Sequence, residues 1–185
     1  MKVLVTGHRG FIGTVMVPML LEEGFDVTGL DTDLYRYCTY GDEPMDVPSI
    51  HKDVRDITAK DLECFDAIVH LAALSNDPLG NVNPDLTYDI NYHASVRIAE
   101  LARSVGVQRF LFASSCSMSG QAGKDVLADT GQYNPVTPSA NPKVLVEEDA
   151  SQLASDSFRT VLLSNATPYE ATHLMRSDLA RTITR

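Results

Sequence analysis

Short apolar runs alternate with amphipathic stretches from the first residues of the chain. Lys2–Thr6 (KVLVT) is β-branched and apolar and ends on Gly7, the pattern of a buried strand. Between Phe11 and Glu23 the positions Phe11, Ile12, Val15, Met16, Met19 and Leu20 recur at helical spacing and Gly24 closes the run. Pro18 lies inside that predicted helix, where it is expected to kink it or remove one backbone hydrogen bond. Further strands are predicted at Phe25–Leu30, Ser49–Asp53, Ala67–Ala72 (AIVHLA), Arg109–Ala113 (RFLFA) and Thr160–Leu163. A long amphipathic helix is predicted over Asp85–Val105, through Ile90, Ala94, Ile98 and Leu101, and another over Lys143–Leu153. Strands alternating with helices build βαβ units, so the expected fold class is α/β: a doubly wound parallel sheet of about six strands with helices on both faces.

Composition narrows the class of partner. The 185 residues suit a single domain, and neither a repeat nor a low-complexity tract divides them. The formal charge of -10, from 25 Asp+Glu against 15 Lys+Arg, argues against nucleic acid or an anionic membrane, which both need a basic surface. No apolar run approaches the length of a membrane span. Cys38, Cys64 and Cys116 form no CxxC pair, which reads as reduced thiols and a cytoplasmic location. No grouping of histidine, cysteine and carboxylate has zinc spacing, so no metal is expected. The loops Tyr35–Pro48 and Gln121–Pro142 are long for a compact domain, a trait of functional loops.

The chemistry is concentrated in VTGHRGFIG. Gly7, Gly10 and Gly13 stand between the first strand and the first helix, with Phe11 and Ile12 between the last two. Such glycines serve a tight turn, a close backbone approach to a pyrophosphate, and close packing of helix on strand, while the helix N-terminus faces the phosphates. The spacing is GxxGxxG rather than GxGxxG. Asp31 follows Gly13 by 18 residues at the end of the next strand, the place of a carboxylate that grips the adenosine ribose hydroxyls. This is a Rossmann-type pattern, and Asp31, which would repel a 2′-phosphate, favours NAD over NADP. Arg36 keeps NADP as the alternative.

With these motifs the chain resembles the extended short-chain dehydrogenase/reductases, and within them the NAD-dependent epimerases and dehydratases of nucleotide sugars. VTGHRGFIG looks like that family's cofactor loop, and DVRD (Asp53–Asp56) like its adenine-contacting segment, with Asp53 accepting from the adenine amino group and Val54 supplying a backbone contact. HLAALSNDP (His70–Pro78) is similar to the strand-end motif beside the cofactor and brings in Leu71, Ala72 and Ala73. Asn91 resembles the asparagine that buttresses the site, and SSCSMSG (Ser114–Gly120) the catalytic-serine segment, which places Ser114 by the cofactor and Ser115 at the catalytic serine. NPVTPSANPKVLVEE is similar to the start of the Tyr-x-x-x-Lys helix, with Lys143 at the lysine. The resemblance implies a small-molecule substrate of the nucleotide-sugar class, hydride and proton transfer, and a homodimer built through the two predicted long helices.

Departures from the family pattern bear on activity. Ser139 falls on the catalytic tyrosine, Ser119 replaces the aromatic before Gly120, Ser164 stands where many relatives have arginine, and Glu170 where they have glycine. A serine hydroxyl is a far weaker acid than a phenol and reaches less far, so Ser139 is a poor general base. Tyr133, Tyr169 or a desolvated Lys143 are the alternative proton-transfer groups. A C-terminal substrate-binding domain is expected to be absent or truncated, leaving 1–185 as a single NAD(P)-binding domain. Whether the chain is an enzyme stays open at this point. A cofactor-binding pseudoenzyme or partner subunit is one alternative, and a domain repurposed for non-redox chemistry another. His70 reads as a satisfied core or cofactor-proximal histidine, and Glu147, Glu148 and Asp149 as a solvated helix face.

Overall fold

The computed structural model describes residues 1–38, 45–74, 82–115 and 140–165. Six parallel strands form one sheet: β1 (Lys2–Thr6), β2 (Asp26–Asp31), β3 (Ser49–His51), β4 (Ala67–His70), β5 (Arg109–Ser115) and β6 (Arg159–Asn165), in the order β3-β2-β1-β4-β5-β6. This is the doubly wound order in which the chain steps outward from β1 in one direction and then from β4 in the other. The helices are α1 (Gly13–Glu22), α2 (Pro84–Tyr88), α3 (Ala94–Ser104) and α4 (Ala140–Gln152), with 3₁₀ turns at Val54–Asp56 and Ala59–Asp61. The expected fold class is thus the observed one.

Side-chain alternation along each strand explains the layers. Val3 and Val5 of β1, Val27 of β2, and Ala67 and Val69 of β4 face α1, where Val17 is buried against them and Met16 and Leu20 pack alongside. Leu4, Leu30, Ile68, Phe110 and Phe112 face the other way and meet Ile98, Ala99 and Ala102 of α3 and Val146 and Ala150 of α4. Strands buried on both faces read as nearly unbroken apolar runs, which is why they were legible in the sequence.

The differences from expectation lie at the ends of elements and in one helix interior. The first helix starts at Gly13, because Phe11 and Ile12 complete the glycine turn. β4 stops at His70, whereas β5 runs on to Ser115, which pairs with Asn165 of β6. The long helix expected over Asp85–Val105 is interrupted by a π-helical turn at Asp89–His93, where the Ala94 N–H reaches back five residues to the Asp89 carbonyl. The expected solvated acidic face of α4 is corrected. Glu148 is exposed, but Glu147 is buried on the turn following Lys143, and Asp149 accepts a 2.7 Å hydrogen bond from the Tyr92 hydroxyl. Their helical phase, set by packing on the sheet, separates three adjacent acids that composition alone had grouped.

Candidate cofactor site

Strand order reverses between β1 and β4, and at such a switch point the connections leave in opposite directions and open a crevice at the carboxyl edge of the sheet. Gly7 follows β1 at this edge with φ +72°. A Cβ placed on Gly7 would stand 2.8 Å from the Ala72 nitrogen, so the two strand-end segments meet backbone to backbone. The turn is closed by hydrogen bonds from the Gly7 N–H to the Leu30 carbonyl (2.8 Å) and from the Gly10 N–H to the Gly7 carbonyl (2.9 Å). A Cβ on Gly13 would collide with the Gly7 and His8 carbonyl oxygens, so the first turn of α1 lies directly on the loop. Ile12 gives α1 no side-chain cap, and its first turn carries no acid. The Thr14 and Val15 N–H groups bond the Gly10 and Ile12 carbonyls at 3.0 and 3.2 Å, so what this end of α1 offers the crevice is the partial positive charge of the helix, with no acid in the first turn to offset it.

Asp31 ends β2 at the same edge. Its Oδ2 accepts from the Arg9 N–H (3.1 Å) and its Oδ1 from the Asp33 N–H (2.9 Å), and each oxygen keeps acceptor capacity. These bonds fix the carboxylate while leaving it able to grip hydroxyls. His8, Arg9, Asp33, Arg36 and Ser49 line an open cleft around it. Arg9 Nε lies 3.7 Å from Asp33 Oδ1 and Arg36 Nε 3.9 Å from Asp33 Oδ2. The His8 ring is buried against Gly29, whose missing side chain makes room for it, with Nδ1 4.0 Å from Asp31 Oδ2. Burial holds the His8 pKa below its ordinary value, against the opposing pull of Asp31.

Residues 3–185 match the NAD dependent epimerase/dehydratase family. The chain belongs to that family. Among curated relatives, a UDP-glucose 4-epimerase of Cyamopsis tetragonoloba is 28% identical over 184 residues, which cover 91% of this chain and 52% of the relative. A UDP-glucose 4-epimerase of Lactobacillus helveticus is 30% identical over 157 residues, 80% of this chain and 46% of the relative. Among solved structures, a Thermus thermophilus UDP-glucose 4-epimerase complexed with NAD superposes with a TM-score of 0.77 at 28% identity, covering 89% of this chain and 54% of that one. An NAD-dependent NDP-hexosamine 5,6-dehydratase of tunicamycin biosynthesis gives 0.77 at 28% identity, with 88% and 54% covered. The chain spans about half the length of the curated relatives it matches.

Several of the described residues singled out in the sequence gather at the carboxyl ends of β1, β4 and β5. Leu71, Ala72 and Ala73 leave β4 opposite Gly7, and the Leu71 N–H bonds the Thr6 carbonyl at 3.1 Å. Ser114 and Ser115 end β5, with Ser114 buried. Lys143 on α4 reaches the same strand end, donating from Nζ to the Ala113 carbonyl at 3.0 Å. Burial lowers the Lys143 pKa, and Glu147 one turn on partly offsets this. Beyond β3, Asp53 caps the 3₁₀ turn at Val54–Asp56 through the Arg55 N–H and holds the Arg55 guanidinium at 3.0 and 2.8 Å. Those bonds hold the Asp53 carboxyl below its usual range. Val54 is buried in the core. Asn91, on the π turn, accepts from the Leu74 N–H at 2.8 Å and donates to the Leu74 carbonyl at 3.0 Å, so it reaches the crevice through the Leu74 backbone. Ser139, Ser119, Cys116, Tyr133, Tyr169 and Glu170 lie outside the described residues.

Sequence reasoning passed over His8 and Arg9 inside the glycine motif, and Thr6 and Ser95, which flank it in space. The signal for the first pair was the His-Arg insertion of charge and ring between Gly7 and Gly10. For Ser95 it was the four-residue spacing from Asn91, one helical turn. Among the described residues no cluster of potential ligands holds a metal site, and no helix is long and apolar enough to cross a membrane.

Proposed function

We propose that this chain binds NAD at the Gly7–Gly13 cradle and serves an epimerase or dehydratase reaction on a nucleotide sugar, by hydride and proton transfer. The observation that carries the reading is the pairing of that cradle with Asp31, whose Oδ2 accepts from the Arg9 N–H inside the same loop. A pyrophosphate fits where side chains are excluded by the Ala72 backbone and where the start of α1, free of acid in its first turn, brings the positive end of the helix dipole. Asp31, fixed by the Arg9 and Asp33 N–H groups, would hold the adenosine ribose and disfavour a 2′-phosphate, so NAD is preferred over NADP.

When bound, the nicotinamide supplies the hydride acceptor and donor. The chain's own residues then have these roles: Gly7, Gly10, Phe11, Ile12 and Gly13 cradle phosphate, and Asp53 and Val54 flank the adenine end. Leu71, Ala72, Ala73 and Ser114 wall the crevice, and Asn91 braces it. Ser115 and Lys143 stand at the β5 end as the hydroxyl and the cation of the proton-transfer group. Ser139 takes the place of a phenol in sequence, and a partly desolvated Lys143 is the described group best able to exchange a proton in its stead. The related enzymes' nucleotide-sugar substrates, a cytoplasmic location and a homodimer through α3 and α4 belong to the same proposal.

Titration of the purified protein with NADH and NADPH, followed by nicotinamide fluorescence, tests it. Saturable binding with at least a tenfold preference for NADH is expected, and Asp31→Ser should narrow that preference to less than threefold. No saturation at millimolar NADH would overturn the assignment.

A further inference from the structure

The buried polar groups behind the crevice form one connected chain centred on His70. Its Nδ1 lies 2.7 Å from Thr6 Oγ1 and its Nε2 2.9 Å from Ser95 Oγ. Thr6, His70, Asn91 and Ser95 are each at most 2% exposed. The direction of every proton follows from the partners. Ser95 Oγ donates to the Asn91 carbonyl at 2.9 Å, so its oxygen accepts from His70 and the imidazole carries its proton on Nε2. His70 Nδ1 is then a lone pair and accepts from the Thr6 hydroxyl, whose oxygen is 3.4 Å from the Ala72 N–H it faces. The ring is held edge-on to these partners by stacking on Phe110 and Phe112, at centroid distances of 5.9 and 6.0 Å.

Each end of this chain terminates on a wall of the cradle. Thr6 directly precedes Gly7, Ala72 is the residue against which Gly7 packs, and Asn91 clamps the Leu74 backbone from the π turn. One imidazole therefore ties the end of β1, the segment leaving β4 and the π turn to a common point. An ordinary core side chain would fill the same volume without fixing any of the three.

We infer that His70, as the neutral Nε2–H tautomer, is a positioning residue for the dinucleotide: it sets the spacing between Gly7 and the 71–74 segment through Thr6 and Ser95 without touching the cofactor. With the cradle read as a dinucleotide site, this role rests on that reading, yet it makes a separate demand on the unliganded protein. His70→Phe keeps the ring and its stacking but loses both hydrogen bonds, whereas His70→Gln can still accept at one end and donate at the other. Thr6→Val and Ser95→Ala each delete one link.

The experiment pairs NADH titration with amide hydrogen exchange of the unliganded protein. His70→Phe is expected to weaken NADH binding at least tenfold and to speed exchange at least tenfold at Ala72 and Leu74, while Phe110 and Leu111 in β5 stay protected. His70→Gln should return affinity to within threefold of the parent. If His70→Phe does not fold, Thr6→Val and Ser95→Ala carry the test, each with a smaller loss in the same two readouts. Should the parent fail to bind NADH, the dinucleotide reading falls, and selective loosening at Ala72 and Leu74 would still support His70 as the tie. Unchanged affinity with uniformly lowered protection would overturn it, because that is the signature of a residue that merely fills the core.

Discussion

Gly7 holds φ at +72° with the Ala72 nitrogen 2.8 Å from where its Cβ would be. Two penalties add at this residue. An L side chain in the left-handed region costs about 1–2 kcal/mol, and the collision is with backbone, which cannot rotate away. Gly7→Ala is therefore expected to lower stability in urea unfolding by about 2 kcal/mol or more and to abolish measurable NADH binding at the parent's saturating concentration. Gly24, also at positive φ but with nothing near its Cβ position, is the control: Gly24→Ala should cost only the conformational part and leave binding unchanged. Two glycines with the same dihedral sign thus separate turn geometry from crevice geometry.

At the scale of elements, β1, β4 and the π turn are joined by the imidazole of His70, and that junction has a pH dependence. Burial, with a smaller contribution from the positive charge of Lys143, lowers the His70 pKa from 6.5 to about 4. Between those values the unfolded chain takes up a proton that the folded chain refuses. Stability is thus fully present above pH 6.5 and declines as pH falls toward 4, by about 3 kcal/mol at the low end. His8, whose pKa is also held down by burial, acts in the same direction. The hydrogen-bonded carboxyls of Asp53 and Asp61, depressed from 3.8, lose their contribution only at lower pH. Urea unfolding at pH 7, 5.5 and 4.5 should show the decline, and His70→Gln should flatten it. An identical slope in that variant would place the titration elsewhere.

For the whole molecule, the sheet has α1 over one face and α3 with α4 over the other, and β6 pairs only with β5 among the described residues. α3 and α4 lie in one layer on that second face, and the π turn that leads into α3 is tied to α4 by the Tyr92–Asp149 hydrogen bond. Light scattering at micromolar concentration is expected to give a mass near twice the 20.2 kDa of one chain. A monodisperse monomer would count against the homodimer through α3 and α4.

Much of this architecture was readable in the residue order. Apolar runs such as KVLVT and RFLFA are buried on both faces of the sheet, so composition alone marks them as strands, and the glycine triplet with Asp31 follows from local backbone and charge requirements. Less of the site was readable. Glu147 and Glu148 are neighbours of identical chemistry, yet one is buried and one exposed, because helix phase is set by packing against the sheet. The π turn at Asp89–His93 was not legible, because the positions Ile90, Ala94 and Ile98 still fall four apart across it and only the backbone hydrogen bonds show the wider turn. The union of Thr6, His70 and Ser95 spans 64 and 25 positions of chain and exists only once β1, β4 and α3 are stacked. Local periodicity and backbone sterics determine elements and the glycine turn from sequence. Hydrogen bonds between distant residues are decided by tertiary structure, because only the assembled sheet removes water and brings the partners within reach.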